Sequence, residues 1–164
     1  MSASKSHSRA KPYLDAAEVL LRESGCTVLR YRPTMTGRAS TKSEMWAIEV
    51  PEPRGPISFG VFAHEVGHQL LHRAGSRPRW REEVEAEEYA LAQFDRFGLK
   101  GRERYERHAA LHLGWTFVKA IRRSRRLAAE ILASYPEWWD RAEQVDAEAL
   151  ARPSLSAERR KLDS

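Results

Sequence analysis

A single cysteine in 164 residues excludes two architectures at the outset. Cys26 has no partner for an intrachain disulfide, and no zinc site can rest on cysteine thiolates. No apolar run approaches the ~20 residues that cross a bilayer. The polar stretch Met1–Lys11 lacks the apolar centre of a secretory signal, so the reading is a cytoplasmic protein with no membrane partner. Acidic residues are the minority: 23 Asp and Glu against 28 Lys and Arg leave a net charge of +5. That balance admits acidic partners, nucleic acid among them, but constrains association more than fold. Much of the excess lies in Arg122-Arg123-Ser124-Arg125-Arg126 and in Arg159-Arg160-Lys161, which read first as a solvated helix end and a tail. With 41% hydrophobic and 31% charged residues, the chain has the composition of one globular domain with a heavily charged surface.

The pattern along the chain predicts an α+β fold, mainly helical, with a small N-terminal sheet. Residues 1–11 are Ser-rich and basic and read as a disordered tail. Pro12 opens a helix over Tyr13–Ser24, which Gly25 ends. Cys26–Arg32 and Glu44–Val50 alternate like strands, with a loop over Pro33–Ser43 between them. Pro51, Pro53, Gly55 and Pro56 form a connector to a helix over Ile57–Arg73, broken by Ala74–Pro78. Further helices are expected over Trp80–Phe97, closed by Gly98, over Arg102–Arg125, with continuity into Leu127–Ser134 left open, and over Glu137–Val145. A single domain over 12–150 and a flexible tail over 151–164 complete the reading.

The helix over Ile57–Arg73 carries His64-Glu65-Val66-Gly67-His68, an HExxH pattern. Imidazoles four residues apart share one helix face and can reach one metal ion, with the intervening Glu on the flank. Apolar residues occupy the opposite side as well, so the helix is expected between two layers, one of them the sheet. Gly67 in its interior implies a close neighbour.

A catalytic metal needs a third protein ligand. Arg81–Ala90 offers Glu82, Glu83, Glu85, Glu87 and Glu88. A helical wheel places only Glu83 and Glu87 within the apolar face of Trp80, Val84, Ala90, Leu91, Phe94 and Phe97, and turns Glu82, Glu85 and Glu88 to solvent. Two inward carboxylates four apart require a cation or an imidazole partner. The wheel does not choose between them, and Glu83 has the further reading of a surface ion pair with Arg79 or Arg81.

The run from Ala63 through His72, followed by Glu83-Val84-Glu85-Ala86-Glu87-Glu88-Tyr89-Ala90, resembles the Glu-ligand metallopeptidases, in particular the ImmA/IrrE-type family. The resemblance covers about residues 57–94. It implies a zincin-like domain with Zn2+ held by His64, His68 and Glu83, Glu65 as general base, and hydrolysis of an intracellular protein substrate, such as a regulator. Glu87 stands where the family has Asp or Asn. Glu87 and His72 are placed behind the ligands, with Glu87 also open as a ligand.

For the stabiliser of the oxyanion, Tyr89, Tyr105, His108 and His112 are unranked candidates. His108 and His112 repeat the i, i+4 spacing without the Glu and read as helix packing, with a substrate-facing or second-metal role as the alternative. Trp115, Trp138 and Trp139 read as core or interface rather than as stacking platforms for bases. Two other functions compete: a nucleic-acid-associated metalloprotein, motivated by the basic clusters, and a non-catalytic metallopeptidase-like interaction module.

Overall fold

The computed structural model describes residues 3–39, 46–72 and 77–148. Six helices and three short strands follow in the order α1 (Ala3–Ser24), β1 (Thr27–Tyr31), β2 (Arg38–Ala39), β3 (Ala47–Val50), α2 (Pro56–Leu71), α3 (Arg79–Phe97), α4 (Arg102–Arg123), α5 (Arg126–Ser134) and α6 (Pro136–Glu148). The expected strand start at Glu44–Met45, the end of the expected loop at 40–43, most of the helix breaker after His72, and the tail over 151–164 lie outside the described residues. No described helix is long and apolar enough to cross a membrane.

The chain divides into two compact units, Met1–Tyr105 and Glu106–Ser164, so the domain read over 12–150 spans both. In the first, α2 is the central element. Pro56 starts it, where a missing N–H costs nothing. The Ser58 hydroxyl accepts the backbone N–H of Gly55 at 3.1 Å and so caps the first turn. Residues Ser58 through Gln69 are all buried. On one side α2 packs against α1 and α3, where the Phe59 ring meets Phe94 edge-on at 5.1 Å between centroids. On the other side it packs against β2 and β3, and Gln69 donates from Nε2 to the Ala47 carbonyl at 3.3 Å. The two-layer setting and the sheet contact expected for this helix are therefore present.

The sheet is mixed, ordered β1-β3-β2, with β1 parallel and β2 antiparallel to β3. The central strand is the buried one: Ala47, Ile48 and Val50 have at most 1% exposure. Two differences from the sequence reading have local causes. β2 lies inside the expected loop, because two residues paired to Glu49 and Ile48 leave no periodicity to detect. β1 alternates in sequence yet exposes Leu29 and Tyr31, because it is an edge strand whose register with β3 shifts between Val28 and Arg30.

The helices differ mainly at their ends. α1, Ala3–Ser24, takes in residues 3–11 of the stretch read as a disordered tail, the first two residues lying outside the described ones, with Pro12 inside it at the loss of one backbone hydrogen bond. α3 stops where expected: Gly98 takes the left-handed conformation at φ 59°, and Leu99 N–H reaches the Phe94 carbonyl at 3.0 Å. Ser124 and Arg125 separate α4 from α5, so the two are not continuous. In the second unit, Trp139 stacks on Phe117 at 6.3 Å between centroids. Trp138 and Trp139 are core, as read. Trp115 lies outside the core, at 41% exposure, with Lys119 Nζ 5.6 Å from its ring centroid.

Gly60 is the tightest point of the α2 core, because a Cβ there would overlap the Tyr105 ring. Gly60→Ala is expected to lower unfolding free energy by about 1–3 kcal/mol through overpacking, read from urea denaturation of the metal-free protein.

Candidate metal centre

The i, i+4 spacing on α2 brings His64 and His68 together edge to face, with the two Nε2 atoms 3.0 Å apart. α3 supplies the carboxylate: Glu83 Oε2 lies 3.3 Å from His64 Nε2 and 3.5 Å from His68 Nε2. All three residues are buried, at 4–9% exposure. Tetrahedral bonds of about 2.0–2.1 Å, the usual range for zinc with nitrogen and oxygen, put neighbouring ligand atoms about 3.3–3.4 Å apart. The three observed separations bracket that edge. Three lone pairs aimed at one point repel one another unless a cation stands between them, so the cluster is suited to a divalent metal.

Each of these side chains is held from behind. His64 turns Nδ1 toward Glu87 Oε1 at 3.3 Å, and the buried Tyr105 hydroxyl donates to Glu87 Oε2. Glu83 keeps its second oxygen, Oε1, on Arg79 Nε at 2.6 Å. His68 places Nδ1 3.1 Å from His72 Nδ1, and His72 Nε2 lies 2.9 Å from Glu85 Oε2, whose other oxygen is bound by Arg77. Backing of this kind fixes ring orientation and raises ligand basicity.

The geometry separates the two carboxylates that the wheel left together. Glu83 meets both Nε2 atoms, while Glu87 meets the opposite nitrogen of His64. The surface ion pair considered for Glu83 is also real, since one oxygen faces Arg79 and the other the imidazoles. Glu85 departs from the expectation of a solvated carboxylate. The wheel considered α3 alone, whereas His72 sits at the C-cap of α2, where φ −122° and ψ 13° carry the chain out of helical geometry and its ring to Glu85. Nothing in the sequence signals the roles of Arg77 or Glu85, because each depends on how α3 and the residues before it lie against α2, whereas the Arg79–Glu83 pair follows from i, i+4 spacing on α3 itself.

Glu65 is buried at 7% exposure, and its negative charge is felt at both His64 and Tyr105. It lies directly under Gly37: a Cβ at that position would overlap the Glu65 side chain. Gly67 has the close neighbour it implied, the Tyr89 ring, so Tyr89 serves helix packing. Tyr105 donates to Glu87, an engagement that removes it as an oxyanion donor. His108 and His112 belong to the second unit.

Charge in the metal-free cluster follows from these contacts. Burial disfavours the imidazolium of His64, but the carboxylates of Glu87 and Glu83 outweigh it and raise its pKa to about 10. Burial, together with the neighbouring His64 charge, lowers the pKa of His68. Burial pushes the Glu83 carboxyl up, but hydrogen bonds from His64 and His68 outweigh it and hold the group far below the ordinary carboxylate range. Near neutrality the cluster thus carries one proton, on His64, in the place a metal would take. The phenol of Tyr105, buried beside Glu87, stays protonated well beyond the usual range.

The chain matches no family model, no curated protein and no solved structure.

Since His64 stays protonated until the pH passes its raised pKa, metal binding at neutral pH must expel that proton. Zinc titration in two buffers of different ionisation enthalpy should show release of about one proton per metal, with affinity rising about tenfold per pH unit between about pH 6 and 8. Affinity independent of pH over that window contradicts the assignment.

Proposed function

We propose that this protein is a zinc-dependent peptidase of the ImmA/IrrE type, with a zincin-like fold, that hydrolyses peptide bonds of a protein substrate. The observation that supports it most is the tetrahedral-edge spacing of His64 Nε2, His68 Nε2 and Glu83 Oε2, with Glu65 one residue along the same helix. Three protein ligands of this composition leave a fourth position open, the arrangement of catalytic rather than structural zinc. When bound, zinc supplies Lewis acidity that polarises a carbonyl and makes water acidic near neutral pH.

The chain's own residues do the remainder. His64, His68 and Glu83 hold the charge, and Glu87, His72 and Arg79 keep the three donors aimed. Glu65, between the two histidines and buried, takes a proton from the attacking water and delivers it to the departing amine. Its burial under Gly37 keeps bulk water from competing for that proton. The reading assigns the protein to a peptide substrate, with a regulatory protein as the family analogy.

The same burial favours a second reading, a metal-holding module without turnover. His64, Glu65, His68 and Glu83 are all at or below 9% exposure. One substitution separates the two. Glu65→Gln should bind zinc with near wild-type affinity and lose about a hundredfold or more in hydrolysis of a quenched peptide library or denatured protein. Absence of zinc-dependent cleavage by the wild type, with zinc bound one to one, selects the module.

A further inference from the structure

We infer that Glu85, acting through His72, is a positioning residue that sets the tautomer and orientation of His68 toward the metal. The inference rests on the metal-centre reading and extends it to a carboxylate that is remote from the ligand atoms.

With a metal at His68 Nε2, the chain of contacts admits one proton order. His68 Nε2 faces the ligand cluster, 3.0 Å from His64 Nε2 and 3.5 Å from Glu83 Oε2; as a metal ligand it gives its lone pair there, and its ring proton is then on Nδ1. That proton points to His72 Nδ1 at 3.1 Å, which must therefore accept. The His72 proton is then on Nε2, and Nε2 donates to Glu85 Oε2 at 2.9 Å. The other neutral tautomer of His72 sets N–H against N–H at the His68 contact, as does a doubly protonated ring. A carboxylate is the group that selects the required form, because it accepts and never donates. The His72 side chain is 4% exposed, which leaves little access for water to replace either contact. Arg77 fixes the far oxygen of Glu85 and so aims the near one.

The two metal-facing histidines are thereby backed differently. His64 meets its carboxylate, Glu87, directly. His68 meets one through the intervening His72 ring, inclined 61° to its own. The longer route carries the influence of α3 to the C-terminal end of α2, where the helix no longer holds the ring by itself. Glu85 thus acts on the metal through geometry and tautomer, without touching it.

The experiment compares zinc dissociation constants, by competition with a chromophoric chelator, for wild type, Glu85→Ala, Glu85→Gln and Arg77→Ala. It adds melting temperatures of the metal-free proteins and long-range nitrogen–proton spectra of the histidine rings. Glu85→Ala should weaken zinc binding about 10- to 100-fold with little change in metal-free melting. Glu85→Gln, which retains an acceptor oxygen, should recover most of that loss, and Arg77→Ala should cost less than Glu85→Ala. In zinc-loaded wild type, His72 should carry its proton on Nε2. Binding by Glu85→Ala within about twofold of wild type, or an equal loss in Arg77→Ala tracking the melting temperature, overturns the inference. If Glu85→Ala does not fold, an Nδ1 proton on His72 in the wild type overturns it alone. Wild-type protein that binds no zinc removes the metal reading as well, whereas wild-type binding with an unaffected Glu85→Ala removes only this inference.

Discussion

Two imidazole nitrogens and a carboxylate oxygen are held within 3.5 Å of one another in a buried position, and the rest of the first unit serves that arrangement. Left without a cation, such a cluster loses hydration and gains lone-pair repulsion, two costs that ordinary packing does not offset. The metal-free protein answers with one proton on His64. A divalent ion held by His64, His68 and Glu83 would answer with three bonds. The helix pair α2–α3 is the device that makes either possible, because α2 alone supplies two donors and α3 alone supplies one.

Rigidity behind the donors matters as much as the donors. His64, His68 and Glu83 each have a second polar atom facing away from the cluster, and each of those atoms meets a named partner: Glu87, His72 and Arg79. Tyr105 extends the first of these lines, and Glu85 with Arg77 extends the second. The aromatic contacts of Tyr13, Phe59, Phe94 and Tyr105 place the apolar support beside this network, so movement of α3 against α2 would disturb packing and polar geometry together. Gly60 and Gly67 show where α2 has given up side chains for close approach.

Much of this was legible from local pattern. Periodicity located α2 and α3 and turned Glu83 and Glu87 inward, because both inferences need only the geometry of one helix. Gly98 was recognisable as a terminator for the same reason. Legibility failed where partners come from different elements. Glu85 read as solvated because its partner His72 lies on another helix, past the last regular turn. β1 alternates as a half-buried strand should, but its place at the sheet edge and its register shift leave Leu29 and Tyr31 exposed.

By itself, then, the sequence determined the helix that carries His64, Glu65 and His68, the short list of acidic partners, and the exclusion of disulfide or thiolate chemistry. These depend on composition and on a 3.6-residue period. Tertiary structure decided which carboxylate faces both imidazoles, which one stands behind His64, that Arg79 shares Glu83 with the histidines, and that Gly37 lies over Glu65. Those choices turn on differences of a few ångströms between side chains on separate elements. A helical wheel fixes direction about one axis and contains no information on the distance or crossing of two.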